Sequence, residues 1–167
     1  MLTIRSKKSI CVFVILGSIA PIFILGFISY GIVPFEGLSA LNKVMINGRT
    51  FSFETYISRN FFPTLPPAID EHPIGVVIRI IPNDSQAFPS DLIVDRLWLI
   101  NGLDIAVLGF TNESYWEPPN ILKKISQKGP EWDIEKADVI VRLIQIDYSG
   151  LRRYFLKAED QIIHYIT

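Results

Sequence analysis

From Ser9 to Phe35 the chain carries no charged residue, a run of 27 positions. Crossing the hydrocarbon core of a bilayer takes about 20 apolar residues. Arg5, Lys7 and Lys8 precede the run and Glu36 follows it. Basic residues on the N-terminal flank keep that end in the cytoplasm and send the rest of the chain across. This pattern predicts a cytoplasmic tail over 1–8, a transmembrane signal-anchor helix over 9–35, a connector over 36–48 and an extracytoplasmic domain over 49–167. The bilayer is then the first expected partner, through residues 9–35. A cleaved signal peptide is the rival reading. Its best small-residue pair is Ser18 and Ala20, and Pro21 follows at once, which suits a signal peptidase badly. The run also exceeds the usual apolar region of about 7–15 residues.

Beyond Gly48 the pattern changes to short alternating runs. Phe51, Phe53, Thr55 and Ile57 alternate with Ser52, Glu54, Tyr56 and Ser58, the period of a half-buried strand. Residues 59–73 hold Pro63, Pro66, Pro67 and Pro73. Proline cannot donate to a ladder, so this stretch reads as a loop. Strands are expected at Ile74–Ile81, Leu92–Ile100, Leu103–Thr111, Asp138–Asp147, Leu151–Ala158 and Gln161–Ile166. Asn101-Gly102 marks a hairpin between two of them. A helical turn is expected around Leu38–Val44. A short helix is expected from Pro118 to Lys128, stopped by Gly129-Pro130. Seven short strands with regular turns predict a mainly β domain, an antiparallel immunoglobulin-like β-sandwich of about seven strands. Trp98, mid-strand among apolar neighbours, is expected in its core.

Composition narrows the function classes. The chain has 167 residues, 49% hydrophobic and 20% charged, with a net charge of -1. Disorder needs low hydrophobicity and high net charge, and a nucleic-acid binder needs a basic footprint. Neither fits, so no nucleic-acid partner is expected. The single cysteine, Cys11, lies in the apolar run. It excludes an intrachain disulfide framework, a cysteine zinc module and a cysteine nucleophile in the domain.

Candidate chemistry is sparse. No nucleophile elbow, P-loop or dinucleotide fingerprint occurs. No catalytic residue and no cofactor is expected, and an enzymatic role is disfavoured without being closed. Asp70, Glu71 and His72 stand together in the proline-rich loop and are the weak metal candidates. Adjacent side chains in an extended segment point alternately, which works against convergence on one ion, and a solvated acidic loop is the plainer reading. His164 reads as an exposed strand histidine. Arg59, Arg96 and Arg142 sit in or beside apolar strands and need carboxylate partners or a solvated tip. Asp138, Glu54 and Asp160 are the candidate partners, because Asp95 should face away from Arg96. Lys123, Lys124 and Lys128 form a small basic face. Phe61, Phe62, Tyr115, Trp116 and Trp132 fall in loops, where aromatics either close the end of a sandwich or form an interface. Of these, Phe61, Phe62, Tyr115 and Trp116 are the candidate partner-binding residues.

Several blocks carry a resemblance: Arg59-Asn60-Phe61-Phe62-Pro63, Val94-Asp95-Arg96-Leu97-Trp98 with Asn101-Gly102, Gly129-Pro130-Glu131-Trp132, Asp138–Leu143 and Ala158-Glu159-Asp160-Gln161. They span about residues 48–165. The chain resembles a set of uncharacterised bacterial exported proteins with an immunoglobulin-like β-sandwich domain. Members usually carry Asp-Phe-Met-Pro where this chain has Asn60–Pro63, and Pro in place of Glu159. The resemblance implies export and a β-rich domain, and it implies no activity. The resulting expectation is a single-pass membrane protein with its domain outside the cytoplasm. Its role would be that of a non-catalytic binding module or an accessory subunit of an envelope complex, with a protein partner in the membrane or envelope. The alternative is a small ligand- or metal-binding exported domain.

Overall fold

The computed structural model describes residues 32–60, 72–111, 118, 120–148 and 150–166. From Val33 onward they form one compact unit. Of the anchor expected over 9–35, residues 9–31 lie outside the described residues, while 32–35 lie within them, and Val33 is buried in the domain rather than available to a bilayer. Among the described residues, no helix is long and apolar enough to cross a membrane.

The domain is mainly β. A single helical turn, α1 (Phe35–Leu38), leads to eight strands: β1 Lys43–Ile46, β2 Arg49–Asn60, β3 Ile74–Pro82, β4 Leu92–Asn101, β5 Asp104–Leu108, β6 Leu122–Ile125, β7 Lys136–Asp147 and β8 Gly150–Ile166. They form one sheet in the order β5-β4-β7-β8-β2-β3-β6, with β1 added to β2. The sheet curls until its two ends meet. Phe110, just past β5, and Ser126, just past β6, make one antiparallel bridge. Thr111 N–H donates to Ile125 O and Gln127 N–H to Gly109 O, both at 2.9 Å.

The inward positions of the long strands are mainly apolar. On β3 the burial alternates without a break, Ile74, Val76, Ile78 and Ile80 being fully buried. These residues join Phe51, Ile57, Leu97, Leu99, Val141 and Leu156 in one core inside the curl. That burial is the main stabilising term, at about 25 cal/mol per Å² of apolar surface removed from water.

Several expectations change. The sheet is not purely antiparallel: β2 pairs with β8 in parallel over Ile57–Asn60. The two strands expected at Leu151–Ala158 and Gln161–Ile166 are one bent strand. Its bend is at Asp160, with φ 51°, and Asp138 fastens it by accepting the Asp160 N–H at 2.9 Å. Residues 120–128 do not form the expected helix. They carry β6, which pairs with β3. Gly129 and Pro130 continue that edge: Gly129 N–H donates to Ile74 O at 2.9 Å and Ile74 N–H to Pro130 O at 3.0 Å. A Cβ on Gly129 would sit 2.5 Å from the Ile74 carbonyl oxygen, so only glycine permits that approach.

Residues 36–48 do more than connect. They hold α1, β1 and a turn at Asn47-Gly48, both with positive φ (51° and 78°), the geometry of a tight hairpin turn. The expected hairpin at Asn101-Gly102 is present, with Asn101 opposite Asp104 and Gly102 at φ 60°.

Candidate functional site

Trp98 is buried, but not in the main core. It lies on the outer face of the β5-β4-β7-β8 half of the sheet, in a second cluster with Val33 and Ile140. The reason is a bulge in β4 between Val94 and Arg96. One extra residue there sets Asp95 and Arg96 together against Arg142 and shifts the alternation downstream. Leu92 and Val94 point inward before it, Leu97 and Leu99 after it. Trp98 is therefore turned outward and needs its own cover. Val33 and α1 supply it. Gly37 makes this possible: a Cβ there would lie 3.2 Å from Ile140 Cγ2 and 3.3 Å from Phe155 Cδ1. The Trp98 indole N–H is buried without a hydrogen-bond partner among the described residues.

The same bulge settles the partner of Arg142. Its guanidinium makes a two-pronged contact with Asp95, Nε donating to Oδ1 at 2.9 Å and Nη2 to Oδ2. It also lies 5.8 Å from the Trp98 ring centroid, within cation–π range. The hydrogen bond to Asp95 raises the Arg142 pKa, burial opposes it, and the carboxylate's charge adds to the rise. The expected partners Asp138, Glu54 and Asp160 are not the ones used, since a regular strand would have turned Asp95 away.

Beyond this ion pair the outer face is uncovered. Ile93 is directly opposite Ile144, and Ile144 opposite Arg153. Two residues along, Ile146 is opposite Leu151. Directly opposed residues share a face, so these side chains form one strip continuous with Arg142 and Phe155. Exposure is 49% for Ile93, 57% for Ile146 and 54% for Leu151. The strip is apolar, with Arg96 and Arg153 at its margins.

Other candidates resolve as parts of the framework. Arg59 ties two loops together: Nε donates to His72 O at 2.8 Å and Nη1 to Trp132 O at 3.0 Å, with Asp133 Oδ1 at 3.4 Å. Trp132 packs against the main core, as an end-closing aromatic does. His164 is exposed and stacks on Tyr56 at 4.8 Å. Lys123 and Lys124 lie on β6 rather than on a helix. Asp70, Glu71, Phe61, Phe62, Tyr115 and Trp116 lie outside the described residues. His72 is described and half-buried. Among the described residues no three His, Cys, Asp or Glu side chains are grouped as a metal site would need.

A cleft of about 570 Å³ opens where β2 and β8 diverge, lined by Leu41, Asn42, Phe53, Thr55, Lys157 and Gln161. Its ammonium is already engaged: Lys157 Nζ lies 2.8 Å from Glu159 and 3.3 Å from Asp138. Thr55 Oγ1 bonds to Gln161 Oε1 at 2.8 Å. The outer strip is a row of apolar side chains that the described residues leave about half exposed. Comparison with protein-family models, with curated proteins and with solved structures finds no match to this chain.

Proposed function

We propose that the protein is a membrane-anchored, extracytoplasmic binding module, non-catalytic, that serves as an accessory subunit of an envelope protein complex. The observation that carries this reading is the strip of Ile93, Ile144, Ile146 and Leu151 on the outer sheet face. Single exposed apolar residues are ordinary, but a contiguous row on a sheet face favours an interaction surface. The exposed Arg153 beside it suits a partner that brings apolar side chains next to a carboxylate. The uncharged run 9–31, still 23 residues without Ile32–Phe35, is long enough for an anchor. Phe61, Phe62, Tyr115 and Trp116 remain sequence-derived contact candidates.

The finer architecture is proposed to be immunoglobulin-like. The order β5-β4-β7-β8 parallels the C′-C-F-G row of a variable-type domain, and β2-β3-β6 parallels A-B-E. Trp98 departs from that scheme, because it faces outward. The resemblance to exported proteins agrees with this placement.

The test is co-purification of the full chain from its own membranes in mild detergent. Wild type is compared with an Ile93→Glu, Ile146→Glu double variant whose unfolding midpoint is unchanged. A stoichiometric partner present with wild type and lost from the variant supports the reading. A partner retained by the folded variant, or none with wild type, overturns it.

A further inference from the structure

We infer that the neck of the domain, Ile32 to Leu41, seats on the bilayer surface through Phe35, Leu38 and Leu41. The inference rests on the anchor reading of residues 9–31 and goes beyond it, since an anchor alone would leave the domain free on a tether.

Four large apolar side chains stand three residues apart here: Ile32, Phe35, Leu38 and Leu41. Their exposures are 56%, 80%, 49% and 72%. The chain has had the chance to bury this segment and has buried other parts of it. Val33 and Gly37 pack against Ile140 and Phe155. Within α1, Phe35 and Leu38 are i and i+3 and so share a side, while Gly37 lies on the side turned to the sheet.

The segment is also fixed in place. Lys157 N–H donates to Leu41 O at 3.0 Å and Phe53 N–H to Asn42 O at 2.9 Å. Gly37 N–H donates to Pro34 O at 2.8 Å. The apolar tips are therefore presented by a braced backbone. A soluble neck between an anchor and a domain has no need of Phe and Leu on its outer side.

Position names the occupant. Twenty-three uncharged residues end where Ile32 begins, so with that run as the anchor Phe35 is at most about 14 Å of extended chain from the bilayer surface. Amphipathic turns of this kind settle at the headgroup–acyl boundary, apolar tips inward and charges toward water. Glu36 and Lys43, both exposed, flank the apolar tips as the polar part of the segment. A second copy of the chain is the competing occupant.

The test uses the full chain in phosphatidylcholine nanodiscs, with Cys11→Ser as background. A nitroxide is placed in turn at Leu38→Cys, Leu41→Cys, Leu103→Cys and Ile22→Cys. Accessibility to oxygen and to a water-soluble nickel chelate gives depth. Leu103, 99% exposed in the β4–β5 turn, is the aqueous reference, and Ile22 reports the anchor itself. The expected result is a lipid-immersed label at 22, boundary-depth labels at 38 and 41, and a fully aqueous label at 103. The nickel response at 38 and 41 should fall several-fold below that at 103. Equal nickel responses at 38, 41 and 103 with 22 immersed would overturn the seating and leave the anchor standing. An aqueous label at 22 would overturn the anchor reading and the seating with it. Shielding at 38 accompanied by spin–spin broadening, removed by dilution into empty nanodiscs, would assign the patch to a second copy and overturn the bilayer assignment.

Discussion

Two halves of one sheet face meet opposite fates. The half around Trp98 is covered by the chain's own Val33 and α1, and Trp98 and Ile140 are 2% and 0% exposed. The half around Ile93, Ile146 and Leu151 belongs to the same strands and carries equally apolar residues, yet each is about half exposed. Strand propensity and alternation are alike in both. The difference is the presence of a cover, and the cover exists because Gly37 allows the helical turn to approach. An outer face that needs a cover in one half and lacks one in the other is the physical basis for proposing a partner.

The largest effect that would sharpen the contrast is expected at Trp98. Trp98→Ala should destabilise by about 3–5 kcal/mol, whereas Leu151→Ala should cost under about 1 kcal/mol because half its surface is already in water. Urea unfolding of both variants measures the gap. Equal costs would erase the distinction between the halves. Trp98→Phe should cost much less than Trp98→Ala, because it keeps most of the volume and removes a buried N–H without a partner.

Next comes the cover. Gly37→Val should force α1 off Ile140 and Phe155, at about 1–3 kcal/mol. Hydrogen exchange should then rise at residues 33–41 while the β2–β3 core stays protected. Unchanged exchange at 33–41 would show that the turn tolerates the methyl groups and that Gly37 is not what seats it.

The boundary between the halves is the Arg142–Asp95 pair, with side-chain exposures of 16% and 27%. A fully buried pair costs about 3–5 kcal/mol to break and a surface pair under about 1. Asp95→Asn should fall between them, at about 1–2 kcal/mol. A double-mutant cycle with Arg142→Met isolates the coupling. Additive single effects would place the pair among the inconsequential surface contacts.

The smallest effect is pH dependence at Lys157. The hydrogen bond to Glu159 raises its pKa, burial opposes the rise, and Asp138 adds to it. A group whose folded pKa is raised contributes stability that is complete below its ordinary value, here 10.5, and lost as pH climbs through the folded value. Unfolding midpoints should fall as pH climbs above the ordinary lysine value of 10.5 in wild type, by more than in Lys157→Met. Parallel declines would remove the lysine from the account.

Much of the β framework was legible in the sequence, because period-2 alternation and turn residues are local signals. Ile74–Ile81, Leu92–Ile100 and the Asn101-Gly102 turn fall where the pattern puts them. What escaped is non-local. The short 122–125 strand looks helical by itself, and only pairing with β3 and the tight Gly129–Ile74 contact make it extended. The parallel β2–β8 pairing joins residues more than 100 positions apart, and nothing in either segment announces it. The outward turn of Trp98 and the Asp95–Arg142 pair both follow from one bulge, which alternation counted from the strand's start cannot show. The uncovered strip was equally hidden, since only the register shows that Ile93, Ile146 and Leu151 share a face. Asn47-Gly48 is the exception, a local hairpin signal that stood in plain view within the supposed connector.

The most direct measurement of the central claim is labelling of Leu151→Cys, in a Cys11→Ser background, by a bulky maleimide. It is performed on opened native membranes and on the purified chain in detergent, with Leu103→Cys as the exposed reference. The account predicts rapid labelling of both sites when purified. In membranes it predicts protection of position 151 alone, by at least several-fold. Equal labelling of 151 and 103 in membranes would contradict it, leaving the strip bare where the protein works.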